Sequence, residues 1–299
     1  MKIGFTLPQM GPLAHEAGEV ARFADEAERL GADSLWVGDR LLAPIEPTVG
    51  YAGGDSIPEA FHSVLDPFAV LAVAAAATES AHIGTNILNA PWYAPAILAR
   101  SLTTIDLVSA GRLLPGFGTG WSPEEYRAAG IPMEQRGARL DECLDALDEL
   151  WSAGPARYEG RYWEVPPTNI DIKPAQRPRP PVYLAGFAPA ALRRVARRAD
   201  GWLPVCAPGA RAFDPASING PMATIRDFAE ELGRDPVAID LVLRVSPFPD
   251  ASVDLIAQTI ARAGDETGVD HVFVEMMNLA GTVDESLDGV QRILSATRG

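Results

Sequence analysis

Residues 2–31, KIGFTLPQMGPLAHEAGEVARFADEAERLG, contain the pattern that decides the fold. A short apolar run, KIGFTLP, leads through a turn to a segment whose apolar residues recur at the helical period and which ends at Gly31. The same order of strand, turn and amphipathic helix is found eight times along the 299 residues. Strands rich in Val, Ile and Leu, each followed by a helix, indicate parallel strands buried on both faces. The count predicts an α/β fold of the (β/α)8 TIM-barrel type, with a doubly wound sheet as the alternative.

We expect a single domain over residues 1–299 with two insertions. Residues 41–65, rich in Gly and Pro, follow the second strand, and residues 152–180 separate the fourth and fifth units. Loops after barrel strands form the active-site face, so the first insertion is predicted to cover a pocket. The second insertion follows a helix and therefore starts on the face of the barrel opposite the active-site face. Either its chain extends to the pocket or its role is structural. A hairpin is expected there around Glu159–Gly160.

The composition excludes several classes of function. The net charge of −15, without a basic stripe, argues against a nucleic-acid partner. The longest apolar stretch, DPFAVLAVAAAATES, is too short to span a bilayer, so no membrane association is expected. The first residues carry no signal-peptide pattern, and Cys143 and Cys206 have neither disulfide nor metal spacing. These features predict a reduced, cytoplasmic protein.

The stretch GFGTGW, residues 116–121, resembles a phosphate-binding loop at first sight. A dinucleotide-binding fingerprint requires a sixth-position glycine in the first strand–helix unit, whereas here Trp121 ends the motif and the unit is the fourth. The glycines instead allow a flat ligand to approach the backbone, or a tight exit from the strand. Trp121 could stack on such a ligand or be a packing residue. The next residues, Ser122–Glu125, are predicted to form a capping box.

Candidate functional side chains follow the strands, because the carboxyl ends of barrel strands form the active-site face. Asp39 ends the second strand, either as an ion-paired or capping residue or as an acceptor for a ligand. His62 is the histidine placed to act as an acid or base, unless it only bonds within its loop. The histidine spacing indicates no metal site. The turn at 186–188 precedes a helix N-terminus and is a candidate anion site. Further polar residues at strand ends are Arg244, Ser246 and Glu275.

Five segments together resemble the bacterial luciferase-like monooxygenase family, in particular its branch that depends on coenzyme F420. They cover units one to six in order and are residues 24–40, 66–88, 95–121, 136–151 and 180–204. The resemblance implies a (β/α)8 barrel with insertions that uses reduced flavin or the deazaflavin coenzyme F420.

The resemblance also implies site residues. A non-proline cis peptide bond behind the ring would be Asn86–Ile87, the residues after the fourth strand would lie beside the ring and tail, and the turn at 186–188 would bind phosphate. The implied cofactor-binding residues are Asp39, Thr85, Asn86, Ile87, Gly118, Gly120, Gly186, Phe187 and Ala188, and the candidate catalytic residues are His62 and Trp121.

The function expected from this resemblance is hydride transfer between coenzyme F420 and a small organic substrate. The basic residues are almost all arginine, a composition common in actinobacteria, which make that coenzyme. Alternatives are an FMN-dependent monooxygenase that uses reduced FMN and O₂, and a non-catalytic flavin- or deazaflavin-binding protein. Arg40 and Trp121 stand where the sugar-phosphate dehydrogenase branch has histidine and glutamate, so that substrate is not implied. We also expect a homodimer.

Overall fold

Parallel strands form a closed ring surrounded by helices in the computed structural model, which describes residues 1–209 and 212–298. The strands are β1 (Lys2–Thr6), β2 (Ser34–Val37), β3 (His82–Thr85), β4 (Leu88–Asn89), β5 (Leu113–Leu114), β6 (Gly116–Gly118), β7 (Ala156–Glu159), β8 (Glu164–Thr168), β9 (Tyr183–Leu184), β10 (Gly201–Trp202), β11 (Val205–Cys206), β12 (Asp240–Val245) and β13 (His271–Val274). The helices are α1 (Val20–Leu30), α2 (Pro67–Ala77), α3 (Pro95–Val108), α4 (Pro123–Ala128), α5 (Arg136–Trp151), α6 (Pro189–Arg198), α7 (Ala216–Glu231), α8 (Val253–Thr267) and α9 (Val283–Arg298).

The pairing of the strands closes the ring. The first strand, β1, lies between β2 and the last strand, β13, with Lys2 opposite His271. On the other side, β5 pairs with β3 while β6 pairs with β9, and only Pro115 separates β5 from β6. Proline has no N–H for the ladder, so it divides one barrel strand into two short segments. This topology confirms the (β/α)8 barrel and excludes the doubly wound sheet.

Large side chains fill the interior of the barrel below its carboxyl-terminal end. Trp36 is fully buried and stacks on Phe273 with ring centroids 4.4 Å apart. Gly84 of β3 makes room for this ring, because a Cβ at that position would lie 2.3 Å from Trp36. A second apolar layer lies between the strands and the helices. The stacked rings form a floor, so a ligand site is confined to the strand ends and the loops above them.

The two insertions occupy different places. Residues 41–65 lie over the carboxyl ends of the strands and are tied to the first loop, where Gln9 Nε2 donates to Leu65 O at 2.9 Å. The predicted hairpin in residues 152–180 is confirmed as the antiparallel pair β7–β8. It packs on α5, and Glu142 accepts the Tyr162 N–H at 2.8 Å. The second insertion is therefore structural.

Candidate cofactor and substrate site

A cavity of about 140 Å³ opens among the carboxyl ends of the strands, where barrel geometry places an active site. Its walls come from the first four and last two barrel strands and from the 41–65 insertion. The lining residues are Met10, Gly38, Asp39, Arg40, Tyr51, Phe61, Asn86, Ile87, Asn89, Gly120, Trp121, Glu125, Arg244 and Glu275.

Asp39 is a buried carboxylate at the end of β2. Its Oδ2 accepts the Asn89 N–H at 2.8 Å, and the Tyr93 hydroxyl donates to Oδ1 at 3.0 Å. Burial raises the pKa of Asp39 to about 6, against these hydrogen bonds, which lower it. The prediction that Asp39 faces the ligand pocket agrees with the lining of the cavity.

The bond between Asn86 and Ile87 is a cis peptide, as predicted, and both residues line the cavity. Thr85, one residue earlier, does not reach the cavity. Its hydroxyl donates to Gly116 O at 2.8 Å and accepts the Gly116 N–H at 2.7 Å. Thr85 therefore fastens the third barrel strand to the fourth rather than contacting a ligand.

Gly118, the last residue of β6, and Gly120 bring their backbone close to the side chains of Ile87 and Asn89. Gly120 lines the cavity with φ +63, and a Cβ there would lie 2.6 Å from Asn89 Oδ1. Gly118 packs against Ile87, since a Cβ there would lie 2.6 Å from Ile87 Cδ1. Within the part of the chain that is described, the buried atoms Asn86 Nδ2 and Asn89 Oδ1 have no hydrogen-bond partner. A donor and an acceptor are thus left over beside the cavity, as a heteroaromatic ligand edge requires.

Trp121 and Phe61 enclose an arginine. The Arg40 guanidinium carbon lies 4.5 Å from the Trp121 ring centroid and 4.9 Å from that of Phe61, in cation–π geometry. Tyr51 adds a third ring, 5.6 Å from Trp121. The first insertion therefore covers the cavity with aromatic side chains, as its position after the second strand predicts.

Arg40 is also paired with Glu125, a site residue that the sequence reading missed. Its Nε lies 3.2 Å from Glu125 Oε1, and both side chains are buried. The capping box is confirmed only in part, because Ser122 Oγ accepts the Glu125 N–H at 3.5 Å while the Glu125 carboxylate turns into the cavity. Burial raises the pKa of Glu125, opposed by the positive charge of Arg40 and by backbone N–H groups.

A second arginine–carboxylate pair lies at the ends of β12 and β13. Arg244 Nη2 is 2.8 Å from Glu275 Oε1, and the Ser246 hydroxyl donates to Glu275 Oε2. These residues were noted from their positions after strands, and the structure brings Arg244 and Glu275 into the same cavity as Asp39.

The turn at Gly186–Ala188 lies outside the cavity lining. Gly186 has φ +128, Phe187 is exposed, and Ala188 is the exposed N-cap of α6, with no side-chain cap. Pro189 has no N–H, and the Ala191 N–H donates to Ala188 O at 2.8 Å, so within the described residues the N–H of Ala190 is left in the first turn of α6 for an anion. Arg194, in the second turn of α6, is not free to bind that anion, because it pairs with Asp141 of α5 at 2.8 Å.

His62 does not join the site. Its side chain is exposed, while the neighbouring Phe61 turns inward to the cavity. Among residues 1–209 and 212–298, no group of three metal-ligating side chains is close enough to hold an ion. Over the same residues, each helix is too short or too polar to cross a bilayer.

Comparison with known proteins gives the same family that the segments resemble. The family described as luciferase-like monooxygenase matches residues 1–287. An F420-dependent glucose-6-phosphate dehydrogenase of Amycolatopsis mediterranei is 30% identical over 213 residues, covering 68% of this chain and 57% of its own.

Two solved structures share the fold over nearly the whole chain. Monooxygenase RslO1 from Streptomyces bottropensis has a TM-score of 0.80 at 22% identity, covering 99% of this chain and 98% of its own. An F420-dependent secondary alcohol dehydrogenase in complex with an F420-acetone adduct has a TM-score of 0.75 at 19% identity, covering 100% and 99%. The proteins similar to this chain thus include a monooxygenase and F420-dependent dehydrogenases. The chain belongs to the luciferase-like monooxygenase family.

Proposed function

We propose that this protein is an oxidoreductase that binds coenzyme F420 and transfers hydride to or from a small organic substrate. The observation that carries the proposal is the convergence of Asp39, the Asn86–Ile87 bond and Gly120 on one cavity at the strand ends. The F420-dependent relative supports the choice of the deazaflavin over FMN.

The cavity wall suits the ring of such a coenzyme. Asn86 Nδ2 and Asn89 Oδ1 are buried without partners in the described residues. Asp39 Oδ1 accepts a hydrogen bond from the Tyr93 hydroxyl and has a second lone pair for a ring N–H or hydroxyl. Ile87 and Gly120 form an apolar part of the cavity wall against which a flat ring can pack. A tricyclic ring with polar atoms along one edge would satisfy both leftover groups, whereas an aliphatic ligand would not.

The turn before α6 suits the phosphate of the coenzyme. Asn89 is opposite Gly118 across the β4–β6 pair, and the Ala185 N–H donates to Phe117 O on the next strand at 3.0 Å. Two strand spacings separate the cavity wall from the turn, a distance of about 10 Å. A ring in the cavity with a tail running over the strand ends would therefore bring its phosphate to the N-terminus of α6.

The coenzyme, when bound, supplies the hydride chemistry, and the chain supplies orientation and electrostatics. Asp39 and Asn89 would hold the polar edge of the ring. Tyr51, Phe61 and Trp121, which line the cavity, would exclude water from the bound coenzyme. The pairs Arg40–Glu125 and Arg244–Glu275 place charged groups around the space left for the substrate.

Titration of the purified protein with F420 and with oxidised and reduced FMN, followed by fluorescence, tests this proposal. We expect saturable F420 binding at least tenfold tighter than FMN binding, a difference of about 1.4 kcal/mol. Tight binding of reduced FMN without F420 binding would refute the proposal. Oxygen consumption with a flavin reductase present would then identify a monooxygenase, and binding without turnover of any substrate would identify a binding protein.

A further inference from the structure

The three carboxylates that line the cavity differ in how their oxygens are used. Both oxygens of Asp39 accept hydrogen bonds, from Asn89 and Tyr93. Both oxygens of Glu275 are also engaged, by Arg244 and Ser246. In Glu125, every contact within the described residues goes to Oε1, and Oε2 accepts no hydrogen bond from them. Glu125 is thus the cavity carboxylate with an oxygen to spare.

Glu125 is held rigidly by its other oxygen. Oε1 accepts the N–H groups of Leu41 and Leu42 at 2.7 and 3.3 Å, and Arg40 Nε lies 3.2 Å away. The side chain is only 2% exposed and lines the cavity. Because these contacts hold the side chain in one rotamer, Oε2 keeps a fixed position towards a bound ligand. Proton transfer to a bound substrate requires such a fixed position.

The surroundings of Glu125 favour a carboxyl that changes its protonation state. The charged and titratable groups that face it are Arg40, Asp39, Glu124, Tyr93 and Tyr126. Burial raises its pKa, the charge of Arg40 and the Leu41 and Leu42 N–H groups lower it, and Glu124 raises it, with a net rise. The guanidinium groups in the cavity remain protonated at neutral pH and cannot act as bases.

We propose that Glu125, through Oε2, is the catalytic acid and base that exchanges a proton with the substrate. The inference rests on the proposed function, and it takes the substrate to be a hydroxyl compound or the matching carbonyl compound, because in that pair a hydride and a proton must both move. In alcohol oxidation the carbinol C–H bond breaks and its hydrogen leaves as hydride to the oxidised coenzyme, while the hydroxyl proton passes to Glu125 Oε2 and a C=O bond forms. The substrate loses two electrons and the coenzyme gains them. Ketone reduction reverses each transfer.

This assignment replaces the candidate catalytic residues expected from the sequence. His62 faces solvent, and the Trp121 indole has no proton to exchange at neutral pH, since its N–H is a donor only. Trp121 instead packs on Arg40 and so helps to hold the partner of Glu125.

Infrared titration of the coenzyme-free protein tests the proton exchange directly. The variant Glu125→Gln keeps an acceptor oxygen for Leu41 and Leu42 but has no acidic proton. The titration is made in an Asp39→Asn background, because the buried Asp39 carboxyl also has a raised pKa, about 6, and would give a band of its own. In that background we expect a carboxyl C=O band that titrates above the usual pH range of glutamate, exchanges in D₂O and is lost when E125Q is added. The matched control is Glu124→Gln, the preceding residue, which bonds Thr48 outside the cavity lining and should retain the band. A band that persists in the D39N/E125Q protein, or its absence from the D39N protein, would overturn the assignment.

Kinetics test the reaction step, with F420 as coenzyme and 2-propanol and cyclohexanol as probes. We expect E125Q to lower kcat at least about a hundredfold and to remove one arm of its pH profile, with F420 affinity within about twofold of wild type. Glu125→Asp should recover part of the rate. E124Q should keep kcat and both arms of the pH profile, with the Glu125 arm moved to lower pH because a negative charge that raises the pKa of Glu125 is removed. Unchanged kcat and pH profile in E125Q would refute the inference and leave the proposed function intact. F420 binding without oxidation of either probe would refute the alcohol step, and failure of the wild type to bind F420 would refute the proposed function.

Discussion

The Tyr93 hydroxyl donates to both oxygens of the buried Asp39 carboxylate, at 3.0 Å from Oδ1 and 3.1 Å from Oδ2. Tyr93 precedes α3, so the bond ties the end of the second barrel strand to the loop after the third. It favours the ionised carboxylate, in opposition to burial, which raises the pKa of Asp39 to about 6. A residue outside the cavity lining therefore lowers the pKa of Asp39 against the larger, opposite effect of burial.

The variant Tyr93→Phe should raise the pKa of Asp39 further, because it removes a hydrogen bond to the charged form. A hydrogen bond to an ionised group contributes about 1.5 kcal/mol or more, so we expect a rise of about one pH unit. Carbon NMR of protein labelled at the aspartate carboxyls measures it. Tyr126→Phe is the control, since its hydroxyl bonds Thr119 O instead. An unchanged or lower pKa in Y93F would contradict the assigned role.

Asp39 should also make stability depend on pH. Its folded-state pKa, about 6, lies above the ordinary value of 3.8, so the folded state binds the proton more tightly than the unfolded chain. The resulting stabilisation is complete below pH 3.8 and is lost as the pH rises through about 6. Over that window the wild type should lose about 3 kcal/mol of unfolding free energy relative to Asp39→Asn. Urea unfolding of both proteins across the window measures the difference, and a pH-independent difference would argue against a buried, proton-binding Asp39.

Local periodicity was sufficient to predict the barrel, because each strand and helix shows its own pattern. Boundaries that depend on caps were harder to place. Residues 221–233, PMATIRDFAEELG, by themselves indicate a helix that starts at Pro221, but α7 begins at Ala216, where Asp214 Oδ1 accepts the Ala216 N–H at 3.0 Å. Pro221 therefore lies inside the helix rather than at its first turn.

The site could be predicted only where residues follow strands. Asp39, Arg244 and Glu275 were placed correctly at the strand ends, since barrel topology brings those ends together. Glu125 was assigned to a helix cap, because Ser-Pro-Glu-Glu fits that local pattern as well. Its partner Arg40 is 85 positions away in the sequence, and a single sequence contains no signal for such a pairing.

The floor of the site depends on the absence of a side chain at position 84. A Cβ at Gly84 would lie 2.3 Å from Trp36, whose ring is fixed by stacking on Phe273. We expect Gly84→Ala to lower the free energy of unfolding by about 1–3 kcal/mol, the usual cost of overpacking a core. Gly18, in the helical turn before α1, is the control: nothing lies within 4 Å of its Cβ position, so Gly18→Ala should stabilise the protein by about 0.5–1 kcal/mol. Urea unfolding measures both effects, and a neutral G84A would show that Trp36 can move.

We expect the two subunits of the homodimer to contact each other through α2 and α3. These helices pack on each other and expose apolar side chains outward: Val73, Ile97, Leu107 and Val108. Since such a patch marks an interaction surface, we expect a dimer in light scattering and a monomer for Ile97→Glu. Val237→Glu, at a residue that is 79% exposed on the far 236–238 turn, should leave the dimer intact. A wild-type monomer, or an I97E dimer, would refute this interface.

The variant Ala188→Asp should change F420 affinity and the free energy of unfolding in opposite directions, so that a loss of phosphate binding can be distinguished from a loss of stability. Ala188 is the N-cap of α6 and gives that helix no side-chain hydrogen bond. An aspartate there should cap α6 and stabilise the protein by about 1 kcal/mol, yet its negative charge should repel a phosphate at the same helix N-terminus. We expect F420 affinity to fall about tenfold or more, since each 1.4 kcal/mol is a factor of ten. Affinity for the deazaflavin chromophore without phosphate should not change, and Ala188→Ser is the uncharged control. If A188D stabilises the protein and binds F420 as tightly as wild type, the phosphate does not lie at α6.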